Sequence, residues 1–240
     1  MEKIAAVILA AGKGTRMGEV NGSHIPKVMF RALGKPLIER SLDNVKAAGV
    51  EKVCLVVGYM KEMVSDYIGN RAEYCVQEEQ LGTGHATAMA KEVMAQKSEA
   101  VIVCYGDMPL FRPETIKNLI QVYEKEKPTI AMLSVKFDDP EFWAYGRIAR
   151  KDGEVAVIIE QKDCNKEELK IKESNPGFYI FESEWLWKNL DNLSSNNSQN
   201  EYYLTDLIEM AIKQGKRVVA VPVSERSEER RVGKECRSRW

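Results

Sequence analysis

The chain is short of the features that would place it in a membrane or an oxidising compartment. No apolar run in its 240 residues approaches the ~20 needed for a helix to span a bilayer. Its five cysteines are odd in number and scattered, which makes no disulfide framework. Cys54 and Cys104 sit inside apolar runs and read as small core residues. Neither sign of charge dominates, with 35 Lys+Arg against 36 Asp+Glu, so nothing suggests a nucleic-acid or membrane surface. The N-terminus carries Glu2 and little net positive charge, and its apolar run ends in a glycine-cation loop, which is not the pattern of a secretory signal. These absences lead to an expected cytoplasmic location, with no membrane and no nucleic acid among the partners.

What is present begins at Ile4. Residues Ile4 to Ala11 are unbroken aliphatic and small side chains, the pattern of a strand buried on both faces in a parallel sheet. At Gly12 the character changes to GKGTRMG, with glycines that let backbone N–H groups converge on an anion and with Lys13 and Arg16 to offset its charge. The dinucleotide fingerprint fails, because Met17 stands where its third glycine belongs, and the P-loop fails, because Lys13 is followed by Gly14.

Further on, apolar strand runs alternate with helical periodicity. Strands are expected at Val53 to Val57, Glu73 to Gln77, Ala100 to Tyr105 and Thr129 to Val135. Helices are expected at Pro36 to Ala48, Lys61 to Ile68, Ala86 to Ala95 and Glu114 to Tyr123. This alternation predicts an α/β fold: a Rossmann-like, mostly parallel sheet flanked by helices. After Phe137 the rhythm becomes a hairpin around Asp152-Gly153, a strand at Gly177 to Glu182 and a helix at Ser183 to Leu193. A helix at Tyr202 to Gln214 and a strand at Arg217 to Val221 complete it. The second half reads as a smaller mixed-sheet lobe. Residues 1–223 are thus one domain, with a first part at about 1–137 and the lobe at about 138–223. Residues 224–240, SERSEERRVGKECRSRW, could not bury an apolar face; they are either a non-native read-through or a disordered basic tail.

Open α/β sheets bind ligands beyond the carboxyl ends of their strands, which here carry Gly12 to Arg16, Gln77, Gly82-Thr83 and Tyr105-Gly106-Asp107. A carboxylate at the tip of an apolar strand suits Mg²⁺ bridging phosphates; a turn or helix-capping aspartate is the other reading of Asp107. His85 caps or packs a helix start, and neither it nor His24 is needed for chemistry. Trp185, Trp187 and Phe142-Trp143 are either core or a surface patch.

The opening L-A-A-G-x-G-T-R-M with Pro26-Lys27 resembles the signature of the sugar-nucleotide pyrophosphorylases. In register behind it come VQEEQLGTGHA (Val76 to Ala86), YGDMPL (Tyr105 to Leu110), YGRI (Tyr145 to Ile148), IIEQKD (Ile158 to Asp163) and NEYYLTD (Asn200 to Asp206). Together they resemble the bacterial N-acetylglucosamine-1-phosphate uridylyltransferases over nearly all of residues 3–223. The resemblance implies an enzyme that uses UTP, N-acetylglucosamine 1-phosphate and Mg²⁺. Leu9, Ala10, Ala11 and Gly12 would lie along the nucleotide, and Gly14, Thr15 and Arg16 would face its phosphates. Lys27 would neutralise charge at the transferred phosphate, Asp107 would hold Mg²⁺, and Tyr105 and Gly106 would flank it. Gln77, Gly82 and Thr83 would read uracil, the glutamine amide supplying donor and acceptor. Gly146, Glu160 and Asn175 would bind the amino sugar, which would make residues about 1–137 the nucleotide-binding part and about 138–223 the sugar-binding lobe.

Two departures qualify this picture. Pro176 stands where the family has threonine, which removes a hydroxyl and an N–H near the sugar. The family's second Mg²⁺ ligand, an asparagine in a G-V-N-x-R run, has no counterpart beside Glu225-Arg226-Ser227, nor does the β-helix acetyltransferase domain of bifunctional members. A truncated chain of impaired activity is therefore expected. The rival readings are a transferase for dTTP or another sugar phosphate, and a non-catalytic nucleotide-sugar-binding module.

Overall fold

The computed structural model describes residues 2–14, 25–140 and 145–223. Thr15, Arg16, His24, Phe142, Trp143 and residues 224–240, about which the sequence raised expectations, lie outside them. In chain order the elements are β1 (Glu2–Ala10), a small ribbon of β2 (Arg31–Ala32) and β3 (Lys35–Pro36), α1 (Leu37–Ala47), β4 (Val53–Val57), α2 (Lys61–Ile68) and β5 (Glu73–Val76). Then come α3 (Thr83–Met89), α4 (Lys91–Met94), β6 (Ser98–Tyr105), α5 (Pro113–Glu126) and β7 (Ile130–Lys136). The remainder is β8 (Gly146–Lys151), β9 (Glu154–Ile159), β10 (Glu173–Asn175), β11 (Phe178–Glu182), α6 (Ser183–Asn189), α7 (Asp206–Lys213) and β12 (Val218–Pro222).

Among the described residues, ten strands make one mixed sheet in the order β5-β4-β1-β6-β11-β7-β10-β8-β9, with β12 beside β7. Strands β5, β4, β1 and β6 pair in parallel, and β11 enters antiparallel between β6 and β7. The unbroken apolar run of β1 is explained by helices on both faces. Ala5, Val7 and Leu9 join one core with residues of α6 and α7, while Ala6, Ile8 and Ala10 join the other with residues of α1, α2 and α5. Trp185 and Trp187 are buried in the first core, so they form no surface patch. Cys54 and Cys104 are buried free thiols.

The hairpin turns at Asp152 (φ 52°) and Gly153 (φ 86°), the left-handed pair that a two-residue turn of this type requires.

Two helix expectations need correction. The helix expected at Ala86 to Ala95 starts at Thr83 and divides at Ala90 into α3 and α4. The helix expected from Tyr202 begins only at Asp206. The physical reason for the second is visible in the backbone. Tyr202 N–H donates to Leu81 O (2.8 Å) and Tyr202 O accepts from Gly84 N–H (2.8 Å), so these groups brace another loop instead of starting a helical turn. Leu204 N–H likewise donates to Thr83 Oγ1 at 2.9 Å.

Candidate active site

The carboxyl ends of β1 and β6 lie side by side because Leu9 pairs with Tyr105 and Gly106 N–H donates to Leu9 O at 2.9 Å. On the other side of β1, Ala10 pairs with Val57, and Gln77 N–H extends the ladder to Val57 O at 2.8 Å. Three chain segments distant in sequence thus open onto one cavity of about 250 Å³. Its lining includes Leu9, Ala10, Ala11, Gly12, Gly14, Lys27, Gln77, Gly82, Thr83, Tyr105 and Asp107. Gln80 and Glu201 also line it; the sequence analysis did not single them out, although each lies inside a motif run quoted above.

The floor carries an ion pair between residues 80 positions apart. Lys27 Nζ donates to Asp107 Oδ2 at 2.5 Å, and the side chains are only 21% and 14% exposed. Gly14 permits this approach. It has φ +68°, and a Cβ added there would stand 2.6 Å from Lys27 Cβ, closer than carbon atoms tolerate. Gly106 does not line the cavity but packs behind it, where an added Cβ would stand 2.7 Å from Ile38 Cδ1. Its carbonyl accepts from Ser41 Oγ at 3.2 Å.

The wall formed by Gln77 is more constrained than the sequence suggested. Gln77 is 3% exposed, and its Nε2 lies 3.2 Å from Gly82 O and 2.9 Å from His85 Nδ1. Both amide hydrogens are therefore spent inside the protein. The expectation of a donor and an acceptor both offered by that amide is corrected to an acceptor only. His85 is accordingly a partner of Gln77, a contact that the sequence could not show.

The residues expected at the sugar lie outside that cavity, on the antiparallel part of the sheet. Asn175 pairs with Gly146 across β10 and β8. A Cβ on Gly146 would stand 3.6 Å from Glu160 Oε1, so these three residues form one cluster. Asn175 is held from both ends: its Nδ2 donates to Tyr179 Oη at 2.5 Å and its Oδ1 accepts from Gly177 N–H at 3.0 Å. Thr205 Oγ1 donates to Glu160 Oε1 at 3.1 Å. The segment Tyr202 to Thr205 thus straps the Gly82 loop to the Glu160 cluster.

Burial, helped by Glu160, Glu209 and Asp163, pushes the Asp206 carboxyl up to about 6. Its folded value lies above the ordinary aspartate value, so the native state holds an extra proton between about pH 4 and pH 6 and loses stability as pH rises through that window. Asp206→Asn is therefore expected to raise the melting temperature by roughly 2–4 °C at pH 7.5, about 1 kcal/mol for this half-buried group after solvent screening. At pH 4 the difference should vanish. Paired thermal melts at the two pH values check this, and an equal shift at both would refute it.

Comparisons with known proteins follow the same outline. A family model described as a MobA-like NTP transferase domain matches residues 6–169. The bifunctional protein GlmU of Clostridium botulinum (strain ATCC 19397 / Type A) is 44% identical over 220 residues, 91% of this chain and 47% of that protein. GlmU of Enterococcus faecalis (strain ATCC 700802 / V583) is 41% identical over 226 residues, 94% of this chain and 48% of its own. The chain spans about half the length of the curated relatives it matches. A crystal structure of UDP-glucose pyrophosphorylase complexed with UDP-glucose matches with a TM-score of 0.76 at 24% identity, covering 92% of this chain and 90% of that one. A putative glucose-1-phosphate thymidylyltransferase from Bacillus anthracis matches with a TM-score of 0.76 at 19% identity, covering 92% and 87%. These two likenesses show the fold.

Proposed function

The chain belongs to the MobA-like NTP transferase family, and from that premise we propose that it transfers a uridylyl group from UTP to N-acetylglucosamine 1-phosphate, releasing pyrophosphate. The observation that carries the reading is the Lys27–Asp107 pair on the floor of a cavity walled by Gly12, Gly14 and Gln77. A cation and a carboxylate able to take a metal ion, set beside a glycine loop, suit phosphate transfer. The identity to GlmU proteins and the motif runs that resemble the N-acetylglucosamine-1-phosphate uridylyltransferases support the choice of substrates.

In this reading a phosphate oxygen of the sugar phosphate forms a bond to the α-phosphorus of UTP. The bond from that phosphorus to the bridging oxygen breaks, and pyrophosphate leaves with the oxygen and its electron pair. The sugar phosphate is already ionised at pH 7, so no protein nucleophile or general base is called for. The work of the chain is positioning and charge neutralisation. Lys27 brings an ammonium to the transferred phosphate, Gly12 and Gly14 let backbone approach the phosphates, and Arg16 would add a second cation. Glu160 would accept sugar hydroxyls, with Gly146 leaving room beside it and Asn175 completing that face.

Asp107 would hold a divalent cation. The residues fit such an ion, since Mg²⁺ takes one or two carboxylates and fills its shell with substrate phosphates and water. One strand-tip carboxylate facing the cavity meets that need, and no group of three or more metal-ligating side chains occurs among the described residues. When bound, the ion would supply positive charge against the charge on the phosphates.

The test is release of pyrophosphate from UTP, dTTP and CTP, each with N-acetylglucosamine 1-phosphate or glucose 1-phosphate and Mg²⁺. Fastest release with UTP and the acetylamino sugar is expected. Preference for dTTP or glucose 1-phosphate would reassign the substrates, and nucleotide-sugar binding without turnover would leave a binding module.

A further inference from the structure

We propose that His85 is a positioning residue that fixes the Gln77 amide with its carbonyl oxygen toward the bound base. By doing so it selects a base whose edge carries a ring N–H, uracil or thymine, over cytosine. The inference rests on the nucleotide-binding role of this cavity proposed above.

Hydrogen-bond logic assigns the orientation. Gly82 O is a backbone carbonyl and can only accept, so the Gln77 atom 3.2 Å from it must be the amide nitrogen. That same nitrogen is 2.9 Å from His85 Nδ1. It donates there too, so Nδ1 must be an acceptor and the imidazole proton must sit on Nε2. No described residue donates to Gln77 Oε1, and that oxygen is not among the sealed, unpartnered polar atoms. Gln77 lines the cavity, and of the two polar atoms of its amide the oxygen is the one left to meet a ligand.

An acceptor at that place complements the N3–H of uracil or thymine and repels the N3 lone pair of cytosine. A glutamine free to rotate its amide would suit either base. Gly82 O alone opposes rotation weakly, since it also accepts from Ala86 N–H at 3.0 Å. His85 supplies the second and shorter restraint. The two residues sit eight positions apart at opposite ends of the Gly82 loop, so the loop itself sets their spacing. Rejecting a base by presenting the wrong polarity is stronger than merely favouring the right one, because the mismatched acceptors are left unpaired.

Titration calorimetry of UTP and CTP binding to the full chain with Mg²⁺ tests this. The unaltered chain should prefer UTP to CTP, with dTTP following UTP. His85→Leu should reduce that ratio by roughly five- to tenfold, the scale of one lost hydrogen bond. His85→Asn, which keeps an acceptor near the Nδ1 position, should retain it. A His85→Leu chain that weakens UTP and CTP equally, or loses only thermal stability, would overturn the inference while leaving the uridylyl reading intact. An unaltered chain that binds no UTP would sink that reading and this inference with it. Independently of any variant, nitrogen-15 NMR of the unaltered chain should show His85 with Nδ1 bare and Nε2 protonated. The opposite tautomer would overturn the proposal.

Discussion

Asp107→Ala should lower pyrophosphate release by about a thousandfold while the chain remains folded. Removing one electrostatic stabiliser of a developing transition-state charge commonly costs 10²–10³ in rate, roughly 3–4 kcal/mol, and Asp107 would also be the residue that anchors the divalent cation. The fold should survive because the carboxylate faces the cavity and is not sealed in either core. Its loss leaves the Lys27 ammonium without that partner, but at the edge of a cavity that water can enter. Breaking a wholly buried pair costs about 3–5 kcal/mol; a pair so placed should cost about 1 kcal/mol. Lys27→Met is the companion variant. It should lower kcat and raise the nucleotide KM together, since the ammonium meets phosphate in both the ground and transition states. Steady-state rates and thermal melts of the two variants decide the matter. A large drop in Tm for Asp107→Ala with proportionate loss of folded protein would make the aspartate a structural residue, and undiminished turnover would remove it from the site.

The frame of the molecule was legible because it depends on local chemistry. Ile4 to Ala11 reads as a doubly buried strand for the reason it is one: alternate side chains enter cores on opposite faces. The bounds expected for Val53 to Val57 and Lys61 to Ile68 match β4 and α2, where apolar periodicity and glycine punctuation agree. The failures lie where the backbone is committed to a distant segment. Tyr202 to Thr205 has the composition of a helix start, yet its polar groups serve Leu81, Thr83, Gly84 and Glu160. Local propensity carries no information about a partner 120 positions away.

Much of the lining of the candidate cavity could be named from the sequence, but its geometry could not. Lys27 and Asp107 could each be singled out, but their direct pairing depends on the parallel register of β1 with β6 and on Gly14 standing aside. Gln77 could be named as a reader of the base, but not the acceptor-only form that Gly82 O and His85 impose on it. Amino-acid type fixes what a side chain can do, while neighbours decide which of its atoms remain available.

The strap that the sequence concealed leads to the second large effect, the expected collapse of loop and strap together in Gly82→Ala. Gly82 has φ +109° and ψ 177°, a region open in practice only to glycine, which strains any other residue by about 1–3 kcal/mol. A Cβ there would also stand 2.6 Å from Tyr202 O and 2.8 Å from Tyr202 N. Both are backbone atoms in a bonded segment, so neither can swing away as a side-chain tip would. Strain and overpacking together should cost about 3 kcal/mol or more and lower Tm by roughly 10 °C. Gly153→Ala separates the two causes. Gly153 also has positive φ, at +86°, but an added Cβ meets nothing within 4 Å, so only about 1 kcal/mol of backbone strain is expected there. The functional consequence should reach beyond the nucleotide. Displacing Tyr202 pulls on Thr205, which donates to Glu160, so Gly82→Ala should raise the KM for the sugar phosphate as well as for UTP. Gly153→Ala should change neither. A nucleotide KM that rises alone would show that the strap does not couple the two halves of the site. Equal losses of stability in the two variants would show that the contact with Tyr202 is not what makes Gly82 necessary.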